Sequence, residues 1–130
     1  MHLCLHYKNI VTDAVEIFEV SVYQGETNFI VEGENITLSC VAIGYPPPLI
    51  QWRKLNGSLS DRVSSTDMSM STNEGNVTRV TVDLIFTTIN REDTGDYECI
   101  TRNLLNFVKE NISLNVQCMK FVVILHLCVL

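Results

Sequence analysis

Positive charge is scarce in this sequence: nine lysines and arginines stand against 15 aspartates and glutamates, a formal net charge of −6. That balance argues against a nucleic-acid module, which carries a basic patch. A mildly acidic surface otherwise serves solubility. Histidine is rarer still, with three in the chain (His2, His6 and His126), all near the ends. The six glycines form no phosphate-binding loop. With neither a histidine base nor a phosphate cradle, no catalytic constellation assembles. The acids Glu92, Asp93, Asp96 and Glu98 cluster in sequence, but strand alternation divides them between two faces. The chain is therefore read as non-enzymatic, with no cofactor, no small-molecule substrate and no nucleic-acid partner. His2, Cys4 and His6 share one side of an extended segment, a weak metal pattern at a terminus that is expected to fray, so no metal site is expected. Proline occurs only as Pro46-Pro47-Pro48. It has no N–H to give a central ladder, so that segment is a loop.

What is present is organised around Asp93-Thr94-Gly95-Asp96-Tyr97-Glu98-Cys99. Alternation puts Gly95, Tyr97 and Cys99 on one face of a strand. Upstream, Cys40 ends the alternating run Ile36-Thr37-Leu38-Ser39-Cys40, and Trp52 follows within Ile50-Gln51-Trp52. A cysteine, a tryptophan, and a tyrosine two residues before a second cysteine make up the pattern of an immunoglobulin domain. The chain resembles an immunoglobulin domain of the intermediate (I) set from about Ile17 to Gln117. Gly33–Cys40 looks like strand B with its leading turn, and Gly44–Trp52 looks like the B–C loop running into strand C. Leu84, Phe86 and Ile89 stand where the family places apolar residues of strand E and the E–F turn.

The resemblance implies an all-β fold, an immunoglobulin-like two-sheet Greek-key sandwich with one inter-sheet disulfide, Cys40 to Cys99. It implies structural roles for Trp52, Leu84, Gly95 and Tyr97, the last as the tyrosine corner, and a salt bridge between Arg62 and Asp93. The domain is placed at residues 16–117. Residues 56–76 are long enough for a short C′ strand and a strand D, without the extra pair of a variable-type domain. Residues 1–15 are read as a leader or fragment end. Residues 118–130 form an apolar tail, too short for the roughly 20 residues that cross a hydrocarbon core. It is read as a truncated membrane segment, an incomplete lipid-anchor signal or an artefact of the gene model. Of the five cysteines, Cys4, Cys118 and Cys128 fall outside the domain.

Four triplets fit the N-glycosylation acceptor pattern, at Asn35, Asn56, Asn76 and Asn111,. Asn35 and Asn111 have outward parity, and Asn56 and Asn76 fall in loop-like sequence, so all four are candidate glycan sites. Acceptors together with an oxidised cysteine pair imply an extracellular or cell-surface location. Domains similar to this one serve in adhesion molecules and receptor ectodomains. The expected function is therefore protein recognition, by homophilic or heterophilic contact, with any membrane attachment supplied by missing or truncated segments. The candidate contacts are Gln51, Arg53, Glu98, Ile100 and Arg102 on the outer face of strands C, F and G, and Leu104 and Leu105 at the F–G tip. The alternative is a structural spacer in a large extracellular multi-domain protein.

Overall fold

The computed structural model describes residues 16–23, 30–72 and 77–118. Its strands are β1 (Glu16–Tyr23), β2 (Ile30–Val31), β3 (Ile36–Gly44), β4 (Leu49–Lys54), β5 (Val63–Ser65), β6 (Ser69–Thr72), β7 (Thr78–Phe86), β8 (Gly95–Arg102), β9 (Phe107–Leu114) and β10 (Val116–Gln117). A 3-10 turn, Arg91–Asp93, precedes β8. One sheet runs β1-β3-β7, with β5 and β6 both paired to β7; the other is β4-β8-β9, and β10 pairs with β2 in parallel. The fold is an all-β sandwich.

Period-two patterning builds the core. On β3, Ile36, Leu38, Cys40 and Ala42 are buried. On β7, Thr78, Val80, Val82, Leu84 and Phe86 are buried and alternate with the more exposed Arg79, Thr81, Asp83 and Ile85. Cys40 lies opposite Val82 across the β3–β7 ladder. In the facing sheet Trp52 lies opposite Cys99. The Cys40–Cys99 disulfide joins the sheets across 59 residues of sequence. Beside it, the Trp52 Nε1–H donates to the Val82 carbonyl at 3.0 Å. The indole thus fills the gap between the sheets and satisfies its one polar atom there.

Asp93 anchors the lower corner. Arg62 grips it with two donors, Nη1 to Oδ2 at 2.9 Å and Nη2 to Oδ1 at 3.2 Å. The Asn90 backbone N–H adds a bond to Oδ2 at 2.9 Å. The Tyr97 hydroxyl donates to the Asp93 carbonyl at 2.7 Å, and the Tyr97 ring meets Phe86 edge-on at a centroid distance of 5.2 Å. Gly95 holds a φ of +151°, which favours glycine, and a Cβ there would come within 3.2 Å of the Lys54 side chain. Burial acts to raise the Asp93 carboxyl, but the Arg62 and Asn90 hydrogen bonds and the charges of Arg62 and Lys54 outweigh it. The net position is below the usual carboxylate range. Burial also raises the Tyr97 phenol, which stays protonated as a donor.

Of the two strands expected after β4, strand D is found in two pieces, β5 and β6, on the edge of β7,, whereas the short C′ strand is not found among the described residues. Among the described residues nothing pairs with the outer edge of β4, and β5 and β6 both join β7. The backbone is drawn to the other sheet by the Thr87 N–H bond to the Arg62 carbonyl and the Thr66 N–H bond to the Asp83 carbonyl. The Arg62 grip on Asp93 fixes the same segment from its side chain. The expected strand G is also broken, into β9 and β10.

Replacing Cys40 and Cys99 together by alanine should lower unfolding stability by about 2–5 kcal/mol, read from denaturant unfolding with midpoint and slope both fitted, the slope rising as the unfolded chain loses its cross-link. Asp93→Asn should cost about 1–3 kcal/mol at neutral pH. Because the folded carboxyl titrates below the unfolded one, its stabilisation is full above about pH 4 and fades as pH falls through the depressed folded value. The Asp93→Asn variant should therefore lose less stability on acidification than the parent, seen as a shallower acid limb in denaturation at a series of pH values.

Candidate functional site

The outer face of the β4-β8-β9 sheet is a grid set by the ladder registers. Its rows are Leu49–Arg102–Phe107, Gln51–Ile100–Lys109 and Arg53–Glu98–Asn111. Gln51, Arg53 and Arg102 are exposed and Ile100 is half-buried. Glu98 departs from the expected open position: it is buried, because Arg53 Nε folds over it and donates to Oε1 at 2.9 Å. Arg53 is thus neutralised in place, while its outer surface stays exposed. The cations Arg102 and Lys109 have no carboxylate within ion-pair distance among the described residues. Lys109 instead lies over the Phe107 ring, 5.4 Å from its centroid.

Next to the top row, the F–G tip is held by one side chain. Asn103 Oδ1 accepts the N–H groups of Leu105 and Asn106 at 2.9 and 3.0 Å. Its Nδ2 donates to the Pro46 carbonyl at 2.9 Å, tying the tip to the B–C loop. With its backbone bonded inside the turn, the tip holds Leu104 outward at 90% exposure and leaves Leu105 exposed as well.

Sequence reasoning missed two members of this surface. Leu49 and Phe107 are exposed and complete the row through Arg102. The signal was available: Leu49 shares the parity of Gln51, and Phe107 the parity of Lys109 and Asn111. What concealed Phe107 was the turn, since its facing partner is known only once the length of the F–G loop is known. Met68, also exposed, joins Leu49, Ile50, Gln51, Thr66, Asp67, Ile100 and Arg102 around a groove of about 440 Å³ beside β4.

The remaining conspicuous acids have structural settings. Asp96 accepts from the Ser113 hydroxyl, and Glu92 is an exposed residue of the 3-10 turn whose backbone carbonyl, not its carboxylate, accepts from Lys54 Nζ at 2.8 Å. No group of three metal-ligating side chains comes together among the described residues. Of the acceptor asparagines, Asn35, Asn56 and Asn111 are exposed, and Asn76 lies outside the described residues. Asn35 Oδ1 accepts the Thr88 N–H at 2.9 Å, which orients the side chain and leaves its Nδ2 for a linkage.

Comparison with known proteins agrees with this arrangement. A family model described as immunoglobulin domain matches residues 19–103. Contactin-2 of Homo sapiens is 30% identical over 98 residues, covering 73% of this chain and 8% of contactin-2. Junctional adhesion molecule A of Homo sapiens is 28% identical over 99 residues, covering 75% of this chain and 33% of that protein. The crystal structure of the N-terminal eight Ig domains of Down Syndrome Cell Adhesion Molecule matches with a TM-score of 0.62 at 25% identity, over 81% of this chain and 13% of that one. The chain therefore spans a small part of these relatives. With its disulfide, its sandwich and this match in hand, the chain belongs to the immunoglobulin domain family and is related to cell-adhesion molecules.

Proposed function

We propose that the chain is an extracellular protein-recognition module of a cell-surface adhesion molecule or receptor, and that it binds through the upper part of the β4-β8-β9 face. One observation carries this reading. Leu49, Leu104, Leu105 and Phe107, all exposed, gather at one end of a single sheet around Arg102, a cation with no carboxylate partner among the described residues. Protein interfaces favour such a mixture of apolar anchors, aromatics and arginine, and a solvated loop has no use for two adjacent leucines held outward. The adhesion names of the relatives support the same class. A spacer would be indifferent to this surface.

Glycans fit the same geometry. Asn35 immediately precedes β3 of the opposite sheet, and Asn56 follows β4 at the far end from Leu49. Asn111 occupies the lowest row of the binding face, two rows from Phe107, about 13 Å along the strand at the usual rise. A glycan there would restrict the lower face and leave the upper row open.

The test is adhesion. Beads coated with the full chain, secreted from a glycosylating host, should cluster on cells or on partner-bearing beads. Ile100→Asp with Arg102→Glu should reduce that adhesion at least tenfold, the loss expected when an interface anchor and its charge are both inverted. Undiminished adhesion by that folded double variant would overturn the assignment of the face. The glycan sites are tested separately. Enzymatic deglycosylation should collapse a ladder of masses, and Asn→Gln at positions 35, 56 and 111 should each remove one step.

A further inference from the structure

The outer edge of β4 has backbone groups to offer. The Leu55 N–H donates to the carbonyl of its direct partner Asp96, so this pair is of the hydrogen-bonded kind. Counting back through the unbroken β4–β8 register, Arg53/Glu98, Gln51/Ile100 and Leu49/Arg102 are of the same kind,. The alternate residues Ile50, Trp52 and Lys54 then direct their N–H and C=O groups away from β8. Among the described residues no strand receives them.

This open edge borders the groove. Leu49, Ile50 and Gln51 form one wall, Thr66, Asp67 and Met68 the other, and Ile100 and Arg102 close it. The far wall is firmly set, because Thr66 bonds the backbone of Asp83 in both directions. Its N–H donates to the Asp83 carbonyl at 2.9 Å, and its hydroxyl accepts the Asp83 N–H at 2.9 Å. A row of strand donors and acceptors without a strand partner, beside walls that mix Leu49, Met68 and Ile100 with polar groups, is suited to an added strand, whose main chain supplies affinity and whose alternate side chains fill the groove.

Charge selects the occupant. Arg102 at the groove and Lys109 on the same face have no carboxylate partner among the described residues. A second copy pairing through the same edge would bring up its own β4, Leu49–Lys54, which carries Arg53 and Lys54 and no acid, and this disfavours self-pairing beside these cations. Asp67 on the opposite wall means that the neutralising acid must lie on the Arg102 side. The acceptor Asn111 is on β9, two strands from β4, so a glycan there leaves this edge open. We infer that the free edge of β4 takes up an extended peptide segment of a different protein, aliphatic at alternate positions and acidic between them, as an added strand. The inference rests on the reading of this face as the recognition surface, and it names the partner's chemistry and mode of contact.

The probe is a synthetic octapeptide alternating glutamate and valine, added at millimolar concentration to the full chain. Two controls accompany it: the lysine–valine counterpart, and the glutamate–valine peptide N-methylated at alternate backbone nitrogens. The acidic peptide should slow amide exchange at Ile50 and Trp52 at least tenfold, and both controls should leave it unchanged. Arg102→Glu should weaken the acidic peptide about tenfold, and Met68→Asp, at an exposed position, should abolish its binding. Unchanged exchange at Ile50 and Trp52, equal protection by the lysine peptide, or self-association of the chain through this edge would each overturn the inference. If bead adhesion still depends on Ile100 and Arg102 while these amides stay unprotected, strand addition fails and the face stands. If adhesion ignores those residues, the reading of the face fails first.

Discussion

The covalent and packed link between the sheets is the constraint on which the rest of the molecule depends. Cys40 and Cys99 set the separation, and Trp52, opposite Cys99, fills it and bonds Val82 on the far sheet. Once those two points are tied, the outward residues of β4 and β8 have no core to enter, and their row positions on the outer face follow from the ladder. The recognition surface is in this sense the back side of the core. A substitution that displaced Trp52 would move Gln51 and Arg53 with it, because all three share one short strand.

The corner around Asp93 governs a different part of the surface. By holding Arg62, it pulls the chain after β4 towards β7, where β5 and β6 pair. That choice deprives β4 of a neighbour. An exposed strand edge is ordinarily a liability that proteins blunt with charge or cover. Here the edge lies beside apolar Leu49 and Met68, and the cation Arg102 stands above it. The ion pair, buried on the Asp93 side and partly exposed at Arg62, is weak evidence for stability as such. Its consequence for topology is the more informative one, because with the Thr87–Arg62 and Thr66–Asp83 backbone bonds it holds the polar segment on the β7 sheet.

The two arginines of the candidate face illustrate how sequence and structure divide the information. In sequence Arg53 and Arg102 are equivalent, each outward on a strand. In the folded chain Arg53 covers Glu98 at 2.9 Å, whereas Arg102, beside Leu49 and Phe107, has no carboxylate partner among the described residues. Pairing across strands depends on register, and register depends on the lengths of turns. Alternation alone could say that Glu98 faces outward; it could not say that a neighbour's side chain would bury it.

From the sequence alone came the sandwich class, the cysteine pair, the inward sets of β3 and β7, and the role of Tyr97, because these rest on period-two burial and on a motif with few chance alternatives. Asp93 and Arg62 were nameable from the family's pattern, though their geometry was not. The tertiary structure alone decided that residues 56–72 give β4 no partner, that Leu49, Met68 and Phe107 gather at one end, and that Leu104 is held outward by Asn103 rather than folded under its loop. The physical reason is the same in each case. Local pattern determines which face a residue takes, whereas contacts between distant strands determine what lies beside it, and those contacts form only when the whole chain has closed.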